Sequence, residues 1–290
     1  MRMTLLTNFI AVQFLDGAVY FAGLAVSCMA VVLGMGAKGR WPRFISHIAM
    51  VTGAILVLAS ATPVFLRVYA LWTVLLAVAG AVSKRRRWAT AAVTLLCVLS
   101  AVMAMIEAPY QRAVKIPIAG FDTLFVIGDS LSQGAHAPGR NWPESLGETL
   151  GLKTFYLGVP GAKVENALAQ AKRIDKDAAL VLLEIGGNDL LDDKGGFEKG
   201  LGALLDAVCK PGRLVVMVEL PLPPTFNRFG IVQRRLARAH GVRLIPKKHL
   251  AKVLGAPGAT EDGLHLSNEG HELLADTLYS LFDKSARTAS

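Results

Sequence analysis

The sequence predicts an all-α transmembrane bundle of about four helices joined to an α/β domain with a parallel sheet. Apolar stretches of spanning length fill the first third of the 290-residue chain. Short apolar runs alternate with amphipathic segments in the remainder. The charge divides at the same place. Residues 1–118 hold eleven Lys and Arg against two acids, Asp16 and Glu107, whereas residues 119–290 hold twenty of each sign. The whole net charge of +9 therefore belongs to the N-terminal third. It reports basic loops around apolar segments, and no nucleic-acid partner is expected.

Four apolar segments make up residues 1–106: Gly17–Gly36, Phe44–Leu66, Val68–Val82 and Trp88–Ile106. A bilayer core takes about 20 apolar residues per helix. The third segment is short for this; the others are not. Recurring segments fit a cleaved signal peptide badly. Lys38, Arg40 and Arg43 separate the first two segments, and Lys84, Arg85, Arg86 and Arg87 the last two, whereas Arg67 alone lies between the second and third. The positive-inside rule puts both basic loops in the cytoplasm. Four spans then send the C-terminal domain outward, to the periplasmic side of a bacterial inner membrane. Asp16, Arg67 and His47 sit at or near segment ends and read as interfacial, which leaves the bundle as an anchor. Residues 107–118, with Pro109 and Pro117, read as a linker.

The remaining residues, 119–290, form one domain. Thr123–Gly128 is a short apolar run before a polar turn and reads as a strand. Asn141–Gly151 reads as a helix, Lys153–Gly158 as a strand and Val164–Ile174 as a helix. Ala178–Gly186 is strongly apolar, Phe197–Cys209 has helical spacing, and Arg213–Leu220 is a strand. Asn227–Gly241 is an amphipathic helix whose basic run, Arg234–Arg238, reads as a solvated face. Val242–Pro246 is a short strand, and Ser267–Phe282 is a closing helix with Ser267 as its N-cap. Strands alternating with helices imply a parallel sheet covered on both faces.

In such sheets ligands bind beyond the strand C-termini, and the reactive residues gather there. Ser130 follows the first strand, Gly158 and Gly161 the second, and Asn188 the third. Asp262 and His265 precede the last helix. A serine hydrolase needs this inventory: a hydroxyl to attack, an imidazole to take its proton, a carboxylate to orient the ring, and N–H donors for the oxyanion. Asp262 and His265 are three residues apart, so one turn can carry both. Gly128-Asp129-Ser130-Leu131-Ser132 lacks the second glycine of the G-x-S-x-G elbow. Taken alone, Gly-Asp-Ser is a turn and helix cap, Asn188-Asp189 an Asx turn, and Asp262-Gly263 a turn pair. Asp129 and Asp189 read as structural hydrogen-bonders. His136, His240, His249 and His271 read as surface residues. Trp142-Pro143 reads as a helix start beside the site. Cys28, Cys97 and Cys209 form neither a disulfide framework nor a metal-ligand spacing, and no metal or organic cofactor is expected.

Four blocks in order make this domain resemble the GDSL, or SGNH, hydrolase family: Gly128–Ser132, Gly158–Ala162, Gly186–Asp189 and Asp262–His265. The resemblance spans roughly Phe121–Phe282. It implies a flavodoxin-like three-layer α/β/α sandwich and ester hydrolysis. It further implies Ser130 as nucleophile, His265 as general base and Asp262 as the residue that orients it. Asn188 and a backbone glycine, Gly161 in preference to Gly158, would bind the oxyanion with the Ser130 N–H. The expected function is a membrane-anchored serine esterase removing short acyl groups, acetyl foremost, from an envelope glycan or lipid. An O-acyltransferase with the same triad is the alternative; it would need a partner to bring the acyl group across the bilayer. A non-catalytic binding module is a third, against which the intact set of reactive residues argues. Short loops at Asp189–Gly196 and Leu220–Gly230 favour an open site for a small acyl group on a large carrier.

Overall fold

The computed structural model describes residues 5–83, 86–112, 114–133, 141–190 and 196–285. Lys84, Arg85, His136 and residues 191–195 of the Asp189–Gly196 loop lie outside the described residues. The chain divides into two compact units. One comprises Met1–Val12, Ala113–Pro221 and Phe229–Ser290, and the other Gln13–Arg112 with Leu222–Arg228.

The second unit is helical. Its helices are α2 (Ala18–Gly36), α3 (Arg40–Ala59), α4 (Leu66–Ala81) and α5 (Arg86–Glu107); a preceding helix, α1 (Leu5–Leu15), belongs to the first unit through Val12. Three helical stretches, Ala18–Gly36, Arg40–Ala59 and Arg87–Gln111, are long and apolar enough to cross a membrane, and Leu66–Ala81 is a shorter apolar helix. Helices α2 and α3 approach closely because small residues line their contact. A Cβ on Gly23 would lie 2.8 Å from the Gly53 carbonyl oxygen. Tyr20, Trp72 and Leu96 fill the interior, while Trp41, Ile45, Leu66 and Trp88 stand exposed. A bundle apolar both inside and outside suits a lipid surround.

Three features depart from the sequence reading. Helix α1 was not foreseen. The helix of the segment Phe44–Leu66 has other bounds: it runs from Arg40 to Ala59, and the chain is non-helical through Phe65. Pro63 cannot continue the helix, and the exposed polar groups are satisfied locally. The Ser60 hydroxyl donates to the Val57 carbonyl at 2.8 Å, and the Tyr69 hydroxyl to the Thr62 carbonyl at 2.9 Å. Asp16 is buried rather than interfacial. Its Oδ1 accepts the Ala18 N–H at 2.8 Å, so it closes the start of α2.

The other unit is a five-stranded parallel sheet between two layers of helices. Its strands are β2 (Thr123–Gly128), β3 (Lys153–Tyr156), β4 (Ala179–Glu184), β5 (Arg213–Val218) and β6 (Arg243–Ile245), in the order β3-β2-β4-β5-β6. A short pair, β1 (Ile116–Pro117) with β7 (Phe282–Asp283), ties the entry of the domain to its end. Every residue of β2 and β4 is buried, which is why both read as unbroken apolar runs. Helices α8 (Val164–Ala171), α9 (Gly196–Val208) and α10 (Asn227–Ala239) form one layer, with Phe197 against Phe229 at 4.8 Å between ring centres. Helices α7 (Trp142–Leu150), α11 (Lys248–Leu254) and α12 (Asn268–Tyr279) form the other. Helix α11 was not foreseen; the closing helix has Ser267 as its N-cap, accepting the Gly270 N–H at 3.1 Å. The order reverses between β2 and β4, and their C-terminal ends make the crevice where such sheets bind ligands.

Candidate active site

Ser130 stands half-buried where β2 turns into the four-residue helix α6 (Ser130–Gln133). Polar side chains fix the turn. Asp129 is buried, and its Oδ1 accepts the Leu131 N–H at 3.0 Å. Its Oδ2 accepts Asn188 Nδ2 at 2.8 Å. The Tyr156 hydroxyl, at the end of β3, donates to the Asp129 carbonyl at 3.1 Å. Gln170 of α8 takes both backbone groups of Gly128, each at 3.1 Å. Burial pushes the Asp129 carboxyl up, and the hydrogen bonds from Leu131 and Asn188 work against that shift.

Asn188 lies on the 3₁₀ turn Gly187–Asp189 after β4. Its amide reaches the Ala162 carbonyl at 3.2 Å as well as Asp129, so it joins the first and second blocks. Asp189 is buried and its Oδ2 accepts the Val164 N–H at 3.1 Å, the hydrogen-bonding part expected of it. The two glycines of the second block differ. Gly161 has φ +70°, the left-handed region that favours glycine, and a Cβ there would meet nothing within 4 Å. At Gly158 a Cβ would lie 2.1 Å from the Tyr156 hydroxyl, so packing against that ring explains this glycine. Val159, Pro160, Gly161 and Ala162 line a cavity of about 440 Å³ together with Asn166 and Gln170.

Asp262 and His265 share a tight turn. An antiparallel bridge between Thr260 and Leu266 closes it, and Gly263 turns it with φ +90°. Asp262 Oδ2 is 2.7 Å from His265 Nδ1, while its Oδ1 accepts the N–H groups of Leu264 at 2.9 Å and His265 at 2.7 Å. These bonds, the His265 ring first among them, hold the Asp262 carboxyl well below the usual carboxylate range. An ionised carboxylate only accepts, so Nδ1 carries a proton, which in the neutral imidazole leaves the lone pair on Nε2.

Other residues fall elsewhere. His271 is buried in α12, where its Nδ1 accepts the Trp142 N–H at 3.3 Å. Arg234 is buried too: Nε lies 2.5 Å from Glu219 Oε1. Both were expected at the surface; His271 recurs on the α7 side of an otherwise polar-looking helix, and Arg234 meets a carboxylate at the end of β5. Glu184, Tyr156 and Gln170 were missed. A single acid closing a fully apolar strand was the available signal for Glu184, since acids are almost never fully buried without a reason. Among the described residues no group of three His, Cys, Asp or Glu side chains could hold a metal ion.

A model of the GDSL-like lipase/acylhydrolase family matches residues 126–273. Among solved structures, TesA aligns with a TM-score of 0.50 at 23% identity, over 55% of this chain and 97% of that one. The psychrotrophic esterase EstA from Pseudoalteromonas sp. aligns at 0.49 and 18%, over 55% and 96%. The lipase/acylhydrolase from Enterococcus faecalis aligns at 0.44 and 20%, over 55% and 94%. A comparison with curated proteins gives no match.

Proposed function

The chain belongs to the GDSL-like lipase/acylhydrolase family and carries a serine carboxylic ester hydrolase domain, and from that premise we propose that Ser130, His265 and Asp262 are its catalytic triad. The observation that carries this is the 2.7 Å Asp262–His265 bond on the turn before the last helix. Ser130 Oγ attacks the ester carbonyl carbon, and His265 Nε2 takes the hydroxyl proton. Asp262 keeps Nδ1 protonated and steadies the imidazolium that forms. The oxyanion is held by the N–H groups of Ser130 and Gly161 and by Asn188 Nδ2, which gives up its longer bond to Ala162 to do so. One such donor is worth on the order of 10²–10³ in kcat. His265 returns the proton to the leaving alcohol. Water, deprotonated by the same imidazole, then frees Ser130 from the acyl group.

The substrate in this reading is a short acyl ester, acetyl foremost, on an envelope glycan or lipid. The cavity beside the 159–162 turn offers room for the alcohol part, its volume being within the range of small-ligand sites. The apolar helices anchor the enzyme in the bilayer, and the basic residues Lys38, Arg40 and Arg43 favour an outward-facing hydrolase domain.

The test is hydrolysis of p-nitrophenyl acetate, butyrate and decanoate by the full chain in detergent, beside Ser130→Ala. Wild type should prefer acetate, and the variant should lose several orders of magnitude in rate. Preference for decanoate overturns the short-acyl reading. Activity surviving in Ser130→Ala overturns the nucleophile assignment.

A further inference from the structure

Ser130 is flanked by Asp129 and Ser132, and one buried side chain bears on this turn. Glu184 is the last residue of β4 and is buried. Its Oε2 accepts the Ser132 hydroxyl at 2.7 Å, and the Asp129 backbone N–H is near enough to favour the charged form of the same carboxyl. The register of the sheet sets this up, because Gly128 pairs directly with Glu184. Gly128 has no room for a side chain: a Cβ there would lie 2.4 Å from Ser132 Oγ. The grips of Gln170 and Tyr156 fall on Gly128 and the Asp129 carbonyl, upstream of Ser130. Glu184 grips the turn on its other side, at Ser132.

This arrangement is costly. A carboxyl without contact to water is disfavoured when charged, and Asp129 adds a second carboxyl nearby, so burial and that neighbour push Glu184 up. Apolar packing would close the end of β4 without that penalty. Locally unfavourable groups retained beside a reactive residue are the usual mark of a site built for geometry.

We propose that Glu184 is a positioning residue for catalysis, fixing the place of Ser130 Oγ by holding Ser132, two residues on, from the end of β4. The proposal rests on the reading of Ser130 as the nucleophile. An amide that turns its N–H toward Ser132 no longer accepts that hydroxyl, so Glu184→Gln loosens the Ser132 side of the turn. A displacement of about 1 Å at a reacting atom costs on the order of 10²-fold in rate.

The experiment compares full-length wild type, Glu184→Gln, Ser132→Ala and Ser130→Ala in detergent, with p-nitrophenyl acetate kinetics and thermal melting on each. The expected result for Glu184→Gln is a kcat lowered about 10- to 100-fold, KM within about twofold and a melting temperature equal to wild type or higher. Ser132→Ala removes the same bond from its other end and should lower kcat in the same direction, and a Glu184→Gln/Ser132→Ala double variant should lose less than the product of the two effects. A Glu184→Gln enzyme with wild-type kcat overturns the proposal. So does one whose activity falls only as its folded fraction falls. If Glu184→Gln does not fold, Ser132→Ala decides: unchanged kcat in that folded variant overturns the proposal. Ser130→Ala separates the two readings. If it stays active, the nucleophile assignment fails; if it is dead while Glu184→Gln is fully active, only the Glu184 role fails.

Discussion

At the scale of single residues, the site depends on protons held in particular places. Asp262→Asn keeps the shape of the turn but offers an N–H where Nδ1–H needs an acceptor. We expect kcat to fall on the order of 10³–10⁴-fold with p-nitrophenyl acetate, while thermal melting stays within a few degrees. Buried titrating groups give opposite pH signatures. Burial lowers His271, and it lowers His249 to about 4 with help from Lys248 and Lys252. The unfolded chain therefore binds more protons than the folded one. Stability should fall as pH drops below about 6.5, continuing toward pH 4. Melting curves between pH 8 and 4.5 test this, and His271→Phe should flatten part of the slope. Glu184 has the reverse sign. Burial raises it above the ordinary carboxyl pKa of the unfolded chain, so its contribution worsens as pH rises above that value. Glu184→Gln should gain in melting temperature relative to wild type more at pH 8 than at pH 5.

At the scale of elements, glycines and buried pairs decide the architecture. Gly186, at the end of β4, has φ +117°, and a Cβ would lie 2.8 Å from the Phe197 ring. Gly186→Ala combines backbone strain with overpacking and should cost about 2–5 kcal/mol, read as a lower melting midpoint. Arg234→Ala strands the buried Glu219 carboxylate and should cost about 3–5 kcal/mol. The elements that carry the site were legible because each puts polar residues straight after an apolar run. Ser130, Gly161, Asn188 and the Asp262–His265 pair stood out for that reason. Glu184, Tyr156 and Gln170 were hidden inside elements, where the dominant signal is periodicity and a lone polar group looks like an element end. Arg234 and His271 were misplaced because helical spacing alone cannot say which face meets a buried carboxylate or another helix.

At the scale of the whole molecule, the parallel sheet followed from alternation. The break at Ser60–Phe65 and the helix Leu5–Leu15 were not legible, since an apolar run hides where backbone hydrogen bonds lapse. Sidedness is a proposal with a simple check. Alkaline phosphatase fused after Ser290 should be active in bacterial cells, because that enzyme matures only outside the cytoplasm, and a green fluorescent protein fusion at the same place should be dark. The reverse pattern would put the hydrolase domain inside.

The Asp262–His265 turn has a kinetic consequence. In the proposed triad the base and the residue that orients it sit on one short loop closed by a bridge, and we expect the pair to move as one body. The separation left to vary is then the one from that loop to the end of β2. Turnover is then gated along one coordinate instead of two, and a perturbation of the loop's hinges should change how often the site is assembled without changing how well it works once it is.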